Sequence, residues 1–266
     1  MTNVAVSGAS GRMGKTLIQS VIDHDTLKLT AAIDHSQSPV LAKDASTMIG
    51  LDACGIMVNS DLSQLEFDLI IDFTRPQATL EYLDICVKMK KSMVIGTTGF
   101  SDDELAGIRE GAREIPIVMA PNMSVGVNLS FKLMEMAAKA LMDSADIEVI
   151  EAHHKHKVDA PSGTALAMGD VIAGALDRSL DDYGVFTRHG HTGARQTGQI
   201  GFSVIRAGDI IGDHTALFAL EGERIEITHK ATSRNIYANG AIRAAQWLAN
   251  QTTPGIYNMQ NVLGLG

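Results

Sequence analysis

The feature that most constrains the fold of this chain is a glycine-rich turn close to its N-terminus. The apolar run Val4-Ala5-Val6 leads into Gly8-Ala9-Ser10-Gly11-Arg12-Met13-Gly14, and apolar residues then recur at helical spacing from 12 to 23. A strand, a glycine turn and a helix in this order direct backbone N–H groups and the positive end of the helix at an anion. This arrangement is typical of dinucleotide-binding proteins. We therefore place in a cofactor site Gly8, Ser10, Gly11, Arg12, Met13 and Gly14.

The residue expected to bind the adenosine ribose is an acidic side chain about 20 positions after the turn, at the end of the second strand. Asp34 has this place, directly after Ala31-Ala32-Ile33. A carboxylate suits the free ribose hydroxyls of NADH, whereas Arg12, and His35 when protonated, would favour the 2′-phosphate of NADPH. We expect both cofactors, NADH and NADPH, to be usable. The alternative is a glycine turn with an unrelated aspartate.

The first half of the chain alternates between apolar strands and amphipathic helices. Strands are predicted at 27–33, 69–73, 93–95 and 115–119, and helices follow the second and third of these. Continuous apolar strands between helices indicate a parallel sheet that is covered on both faces. Ligands of such sheets lie beyond the carboxyl ends of the strands, so we expect two segments to line the cofactor: Asp72-Phe73-Thr74 and Gly96-Thr97-Thr98-Gly99. Ordinary turns at the strand ends are the alternative for these residues.

Beyond about residue 124 the chain becomes richer in β-type alternation. Helices are predicted at 125–142, 164–176 and 235–250, and strands at 147–152, 202–205, 215–220 and 224–228. The fold class is therefore α/β: a Rossmann-like domain and an α+β domain with a mixed sheet, with the last helix able to return to the first domain. Residues 178–197 are predicted to be a long loop, and loops of that length are usually functional or mobile.

The richest chemistry lies in a basic cluster, Glu151-Ala152-His153-His154-Lys155-His156-Lys157-Val158-Asp159-Ala160-Pro161-Ser162-Gly163-Thr164. A strand precedes it and a helix follows it, so residues 162–164 present free N–H groups that suit a carboxylate. Three interpretations remain open: a solvated basic loop, a zinc site that uses two of the histidines, or a site for an anionic substrate with a proton donor. We favour the third, because lysine carries a point charge and histidine titrates near neutral pH, and we expect no metal site.

The composition narrows the classes of partner and the compartment. A net charge of −9 disfavours nucleic acid and acidic membrane surfaces, which attract basic faces. The two cysteines, Cys54 and Cys86, are too few for a disulfide framework and fit a reducing compartment. The N-terminus has no signal-peptide pattern, and no apolar stretch is long enough to span a membrane. These features predict a cytoplasmic protein without a nucleic-acid or membrane partner.

At these motifs the chain resembles the 4-hydroxy-tetrahydrodipicolinate reductase (dihydrodipicolinate reductase) family. The sequence E-A-H-H-K-H-K-V-D-A-P-S-G-T-A at 151–165 is similar to the signature of that family and is highly specific, whereas the glycine turn alone is not. The resemblance covers essentially the whole chain. It also includes 8–14, 73–76, 96–100, 120–122, 208–209, 212–215 and 229–240.

The resemblance implies reduction of 4-hydroxy-tetrahydrodipicolinate to tetrahydrodipicolinate by NADH or NADPH with loss of water, a step of lysine and diaminopimelate biosynthesis. It implies a dinucleotide-binding domain of residues 1–124 and 235–266, and a substrate-binding and tetramerisation domain of residues 125–234. The expected partners are a small dicarboxylate substrate and further copies of the chain in a homotetramer.

The resemblance also implies roles for individual residues. His153 resembles the proposed general acid, and Lys157 resembles the second catalytic group, which also holds the substrate. The residues implied for the substrate carboxylates are His154, Lys157, Ser162, Gly163 and Thr164. Those implied for the nicotinamide are Gly96, Thr97, Thr98, Ala120, Asn122 and Met123. His35 stands where members that favour NADPH often have arginine, and Met123 where some members have an aromatic residue.

Other functions share part of these features. An NAD(P)-dependent dehydrogenase that acts on an amino acid such as aspartate would have the same fold without needing this histidine signature. A non-catalytic nucleotide sensor would keep the glycine turn and Asp34 but would not need His153 and Lys157 together. A zinc hydrolase is a third alternative, which metal analysis of the purified protein would test.

The residue after the ribose-binding acid bears on the choice between the two cofactors. We expect His35→Arg to raise the affinity for NADPH relative to NADH, because arginine adds a permanent cation beside the 2′-phosphate. Titration of both cofactors into the parent and the variant measures the ratio of dissociation constants. An unchanged ratio would remove position 35 from cofactor selection.

Overall fold

The computed structural model describes residues 1–265 of the chain. The N-terminal elements are β1 (Thr2–Ser7), α1 (Arg12–Ile22), β2 (Leu27–Ile33), β3 (Val58–Asn59), β4 (Leu69–Asp72), α2 (Pro76–Met89), β5 (Ser92–Ile95), α3 (Asp102–Gly111) and β6 (Pro116–Met119). The central elements are α4 (Val125–Leu141), β7 (Asp146–His153), α5 (Gly163–Ala175), α6 (Leu180–Tyr183), β8 (Gly184–Val185), β9 (Ile200–Arg206), β10 (Gly212–Leu220) and β11 (Glu223–Ala231). The C-terminal elements are α7 (Asn235–Leu248), β12 (Gly255–Tyr257) and α8 (Met259–Leu263). None of the helices in residues 1–265 is long and apolar enough to cross a membrane.

Two compact units divide the chain: Met1–Val125 together with Asn235–Gly266, and Gly126–Arg234. In the first unit, seven parallel strands form one sheet in the order β12-β6-β5-β4-β1-β2-β3. The order reverses between β1 and β4, and ligands of open α/β sheets bind beside the carboxyl ends of the strands at such a point. The predicted parallel sheet is thus confirmed.

Both faces of this sheet are buried, because successive side chains of a strand point to opposite sides. Val4 and Val6 of β1 belong to one hydrophobic cluster, and Ala5 between them belongs to a second. Helices α1 and α7 contribute to the first cluster, and α2 and α3 contribute to the second. A sheet that is buried on both sides needs strands that are apolar throughout, which explains the continuous apolar runs in the sequence.

The second unit contains a five-stranded mixed sheet in the order β11-β10-β7-β9-β8. Strand β10 is antiparallel to β11 and β7, whereas β9 is parallel to β7 and β8. A core around Val149 and Phe218 covers one face of the sheet, and α4 and α5 pack onto it with Met134 and Met168. The mixed sheet predicted for this region is also confirmed.

The prediction of one long loop at 178–197 is wrong in its first part, because α6 and β8 lie within it. Ser179 begins α6 by accepting the Asp181 N–H at 3.2 Å. The ring of Phe186 stacks on that of Phe202 in β9, with centroids 4.9 Å apart, and this contact holds the segment against the sheet edge. The sequence also did not indicate β3, β12 and α8, since elements this short have no periodicity to detect.

A close approach in the first unit requires glycine at position 240 of α7. A Cβ atom there would lie 1.7 Å from the carbonyl oxygen of Met123. We expect Gly240→Ala to lower the free energy of unfolding by about 3 kcal/mol, because the backbone must move to admit the methyl group. Urea denaturation of the purified variant measures the change.

The control is Gly174→Ala in α5, where a Cβ atom meets nothing within 4 Å. That substitution should be neutral or should stabilise the protein by about 0.5 kcal/mol, because alanine has the higher helix propensity. Equal destabilisation by the two substitutions would contradict the close packing at Gly240.

Candidate active site

The glycine turn between β1 and α1 is folded tightly onto itself. Gly8 has a positive φ of 62°, a conformation that favours glycine. The Gly11 N–H donates to the Gly8 carbonyl oxygen at 2.8 Å, and a Cβ at Gly14 would lie 2.0 Å from the same oxygen. The N-cap of α1 is Gly11, which has no side chain to occupy the first N–H groups of the helix. These groups are therefore available to an anion.

Asp34 follows β2 and is buried beside the glycine turn. Its Oδ2 accepts the Ser10 N–H at 2.7 Å, and its Oδ1 accepts the His35 N–H at 2.8 Å. Burial raises the pKa of Asp34, but the hydrogen bonds from Ser10 and His35 outweigh burial and hold the pKa below its ordinary value. The ionised carboxylate therefore holds the turn in place and keeps lone pairs for a ribose hydroxyl.

The turn, Asp34 and the segment after β4 line one cleft of about 360 Å³. The residues proposed for the cofactor that line it are Gly8, Ser10, Gly11, Arg12, Met13, Gly14, Asp34, His35 and Phe73. Thr74, which the sequence also placed beside the cofactor, lines it as well, together with Arg75, Ala78 and Tyr82. Arg12, His35 and Arg75 give the cleft basic groups, which suit phosphate oxygens.

The two threonines proposed for the nicotinamide lie outside the lining of this cleft. Thr98 is exposed just after β5. Thr97 is buried, and its hydroxyl donates to Asp72 at 3.0 Å while accepting the Thr74 N–H at 2.9 Å. The Thr97 side chain is thus engaged inside the protein, so a contact with the nicotinamide would have to come from its backbone.

The other residues proposed for the nicotinamide also have contacts within the protein. Gly96 lies under the ring of Phe73, whose nearest atoms are 2.3 Å from where a Cβ would stand. Ala120 and Met123 are buried in the core of the first unit. Asn122 Oδ1 accepts the Ser124 N–H at 2.9 Å. Their contacts with a cofactor stay predictions.

In the second unit, the buried face of the mixed sheet changes from apolar to ionic along β7. Val149 lies in the core, and Glu151 and His153 follow on the same face at successive alternate positions. The strand register places His214 of β10 opposite Glu151 and Arg206 of β9 opposite His153. Four polar side chains therefore meet at the end of the core.

Glu151 is the centre of this cluster, and its side chain is fully buried. Both carboxylate oxygens accept from the Arg206 guanidinium at 2.8 Å. His153 Nδ1–H donates to Oε2 at 2.6 Å, and the Ser162 N–H donates to Oε1 at 3.0 Å. Burial raises the pKa of Glu151, but the hydrogen bonds from Arg206, His153 and Ser162 outweigh burial and hold it below its ordinary value. The charged carboxylate therefore holds the His153 ring by Nδ1 and turns Nε2 away from itself.

A glycine keeps the space beside His153 Nε2 open. A Cβ atom at Gly212 would lie 3.1 Å from this nitrogen. The loop after β9 fixes the backbone on either side of the ring, because the Ala207 N–H donates to the His153 carbonyl oxygen at 2.9 Å and the His154 N–H donates to the Ile210 carbonyl oxygen at 2.7 Å. The general acid proposed from the sequence thus has a fixed ring and one accessible nitrogen.

His214 packs edge-on against His153, with ring centroids 5.0 Å apart. Burial, and then the charge of His153, lowers the pKa of His214 to about 4, so its ring is neutral at neutral pH. The Ser162 hydroxyl accepts the Ala165 N–H as the cap of α5 and is also hydrogen-bonded to His214 Nε2 at 3.1 Å, where the tautomer of the ring decides which atom donates. His214 Nδ1 has no hydrogen-bond partner among the described residues.

The other residues proposed for the substrate lie around the start of α5. Lys157 is largely buried and pairs with Asp159 at 2.8 Å. Gly163 is exposed, and a Cβ there would meet nothing within 4 Å. A ligand can therefore approach the first turn of α5, which begins with Gly163 and Thr164. The rings of His154 and the exposed His156 are 6.1 Å apart. In residues 1–265, no three His, Cys, Asp or Glu side chains converge as metal ligands.

Ser162, which the sequence placed with the substrate, is buried and engaged on both sides. Its N–H binds Glu151 and its hydroxyl binds His214. These contacts show that it connects the ionic cluster to the start of α5. Direct contact with a substrate carboxylate stays a prediction.

Comparison with known proteins identifies the family. Family models described as "Dihydrodipicolinate reductase, N-terminus" and "Dihydrodipicolinate reductase, C-terminus" match residues 2–123 and 126–263. The chain belongs to the dihydrodipicolinate reductase family. It is 53% identical over 264 residues to the 4-hydroxy-tetrahydrodipicolinate reductase of Polynucleobacter necessarius subsp. necessarius (strain STIR1), with 98% of each chain covered. The resemblance inferred from the motifs is confirmed.

Solved structures support the same assignment. A dipicolinate-bound dihydrodipicolinate reductase from Paenisporosarcina sp. TG-14 matches with a TM-score of 0.76 at 26% identity, with 97% of each chain covered. An amine dehydrogenase from Mycobacterium smegmatis matches with a TM-score of 0.62 at 12% identity, covering 97% of this chain and 95% of that one. At so low an identity the second match shows a shared fold alone. The α/β fold class predicted for this family member is confirmed.

Three residues of the ionic cluster had no role in the sequence analysis: Glu151, Arg206 and His214. The sequence could have indicated that Glu151 lies beside His153, because residues two positions apart in a strand share a face. Arg206 and His214 reach the cluster only through the register of β9 and β10 on β7. Local sequence patterns do not specify that register.

The low pKa of His214 predicts a pH-dependent contribution to stability. Below about pH 6.5 the unfolded state takes up the histidine proton, whereas the folded state resists until about pH 4. The groups facing this ring are His153, Glu151, Lys157 and His229. Wild-type protein should therefore lose roughly 3 kcal/mol through this residue between neutral pH and about pH 4, since each pKa unit is worth about 1.4 kcal/mol.

Replacement of the ring removes this contribution. His214→Gln should be less stable than wild type at neutral pH, but the difference should shrink by roughly 3 kcal/mol near pH 4. Denaturant unfolding at the two pH values measures it, and His156→Gln, at an exposed histidine, is the control. A stability difference between wild type and His214→Gln that does not change with pH would contradict a buried neutral His214.

Proposed function

We propose that this chain reduces 4-hydroxy-tetrahydrodipicolinate to tetrahydrodipicolinate with NADH or NADPH and with loss of water, in lysine and diaminopimelate biosynthesis. The observation that carries the proposal is the His153–Glu151 pair, joined at 2.6 Å at the start of the basic cluster in a member of this family. A buried carboxylate that orients a histidine is an arrangement for proton transfer.

The first unit fits a dinucleotide cofactor. The cradle at Gly8 and Gly14 would be filled by any Cβ, and the uncapped start of α1 offers N–H groups to a pyrophosphate. Asp34 would hold the adenosine ribose, and Arg12 and His35 would face a 2′-phosphate. When bound, the reduced nicotinamide supplies the hydride for the reaction.

The second unit suits a substrate with two carboxylates. Lys157 and His154 lie in the basic cluster, and the N–H groups at Gly163 and Thr164 stand at the positive end of α5. The reductase from Paenisporosarcina sp. TG-14 binds dipicolinate, which is a ring with two carboxylates. This likeness supports a dicarboxylate as the ligand of the same cluster here.

His153 would supply the proton. Loss of the C4 hydroxyl as water, with a hydrogen from the neighbouring ring carbon, leaves a double bond conjugated with the imine. Hydride addition at C4 then places negative charge on that neighbouring carbon and the imine nitrogen, and a proton must neutralise the charge. Glu151 holds Nδ1, so Nε2 is the atom that donates, and Gly212 leaves room beside it. Arg206 keeps the Glu151 carboxylate charged, so that the carboxylate continues to hold His153 by Nδ1. Lys157 would bind a substrate carboxylate and support delivery of the proton.

The proposal includes the assembly, the location and the functions of the two domains. Residues 1–124 and 235–266 would bind the dinucleotide, and residues 125–234 would bind substrate and form a homotetramer of a cytoplasmic enzyme. The exposed side chain of Ile205 in β9 lies on the face of the second sheet opposite to the core, and it supports burial of that face in an assembly. Light scattering of the purified protein measures the mass of the assembly and thus the number of chains in it.

The decisive assay is oxidation of NADH and of NADPH by the purified protein, followed by nicotinamide absorbance. The substrate is formed in the same cuvette from pyruvate and aspartate semialdehyde by the synthase that catalyses the preceding step of the pathway. Oxidation that requires the synthase product supports the proposal and ranks the two cofactors. A folded protein that binds cofactor but oxidises neither would contradict it and favour an amino-acid dehydrogenase or a nucleotide sensor.

Removal of the proposed proton donor tests the chemistry. We expect His153→Ala to lower kcat by about two orders of magnitude, the usual scale for loss of a general acid. His156→Ala is the matched control, since this histidine lies in the same cluster but is exposed, and its kcat should stay within about twofold of wild type. Steady-state kinetics with saturating cofactor measures both. An unchanged kcat in His153→Ala would remove His153 from the chemistry.

A further inference from the structure

Asp72, the last residue of β4, carries a carboxylate in the interior of the first unit. Its exposed fraction is 0%, although a buried charge is costly unless it is well hydrogen-bonded. The hydrogen bonds to its side chain come from hydroxyl groups rather than from a cation. The four donors are Ser7, Thr74, Thr79 and Thr97.

These hydroxyl groups saturate the carboxylate. Oδ1 accepts from Ser7 at 2.5 Å and from Thr74 at 2.7 Å. Oδ2 accepts from Thr97 at 3.0 Å and from Thr79. Each oxygen thus lies within hydrogen-bond distance of two hydroxyl groups. The Ser7 and Thr79 hydroxyls also lie near backbone carbonyl oxygens, of Ile71 at 3.3 Å and of Arg75 at 3.1 Å.

The four donors belong to different segments beside the dinucleotide cleft. Ser7 directly precedes the first glycine of the turn, and Thr74 lies between β4 and α2. Thr79 is in α2, and Thr97 follows β5. One carboxylate therefore connects the glycine turn to the ends of the two neighbouring strands.

Thr74 shows how this connection reaches the turn. Its hydroxyl is held by Asp72, and its methyl carbon lies 3.0 Å from where a Cβ of Gly8 would stand, so it packs directly on the turn. Its N–H donates at 2.9 Å to the hydroxyl of Thr97, which in turn donates to Asp72. Loss of the carboxylate would release both the Thr74 side chain and the Thr97 side chain.

We propose that Asp72 is a positioning residue for the cofactor: it holds the glycine turn and the ends of β4 and β5 in the arrangement that binds the dinucleotide. The identity of the ligand rests on the proposed function. The Asp72 side chain is fully buried and is not among the residues that line the cleft, so its expected place against the cofactor is replaced by an indirect role. Its substitution therefore weakens cofactor binding without weakening binding of the dicarboxylate, whose proposed residues belong to the other unit.

A matched control separates this effect from the general cost of losing a buried carboxylate. Asp44 is also buried in the first unit, where it accepts from the Ser46 hydroxyl and from the N–H groups of Cys54 and Gly55. It is not among the residues that line the cleft. Asp44→Asn and Asp72→Asn make the same chemical change at two buried sites of one unit.

The test is titration of the full-length parent and variants with NADH, followed by nicotinamide fluorescence. We expect Asp72→Asn to raise the Kd for NADH about tenfold, the change expected from loss of a hydrogen bond to a charged group. Asp44→Asn should keep Kd within about twofold. At saturating NADH, the KM for the cyclic substrate should stay within about twofold of the parent in both variants. A substitution that distorted the whole protein would raise this KM as well as the Kd for NADH.

Three results would overturn the proposal: a Kd for Asp72→Asn within twofold of the parent, an equal rise in Asp44→Asn, or an equal rise in the substrate KM. If Asp72→Asn does not fold, Thr79→Val decides, because it removes one donor and keeps the side-chain shape. That variant should raise Kd about threefold, and an unchanged Kd would refute the positioning role. A parent that binds neither NADH nor NADPH would refute the proposed function together with this one.

Discussion

A carboxylate that is removed from water must have both oxygens hydrogen-bonded, and this constraint organises the sites of both units. Asp72 and Glu151 are buried at or near the carboxyl end of a strand. Hydroxyl groups from separate segments satisfy Asp72, and a guanidinium, an imidazole and a backbone N–H satisfy Glu151. Because the donors come from different elements, each carboxylate fixes those elements relative to one another.

The partners of the two carboxylates determine what each can do. The donors to Asp72 are hydroxyl groups from separate segments, and through them this residue is proposed to set the geometry of the glycine turn. Glu151 instead holds the ring of His153 by Nδ1 and leaves Nε2 for a ligand. The first arrangement suits the binding of a cofactor and the second suits proton delivery. Membership of the dihydrodipicolinate reductase family unites the two in one reaction.

Much of this organisation was predictable from the sequence, because it depends on local patterns. The glycine turn, the acid at position 34 and the strand before His153 all follow from short-range spacing. Two of the hydroxyl donors to Asp72, Ser7 and Thr97, come from segments far apart in sequence, and Arg206 and His214 reach Glu151 only through strand register. Such pairings depend on how the whole chain folds, so they cannot be predicted from short-range spacing.

The most direct measurement of the central claim is the fate of the transferred hydrogen. NADH deuterated on both faces of nicotinamide C4 is incubated with the purified protein and the synthase product, and the product is analysed by mass spectrometry and NMR. The account predicts one deuterium per product molecule, located at C4 of the ring, and no labelled product when the protein is omitted. Product that forms without deuterium, or with deuterium at another carbon, would contradict hydride transfer to the dicarboxylate by this chain.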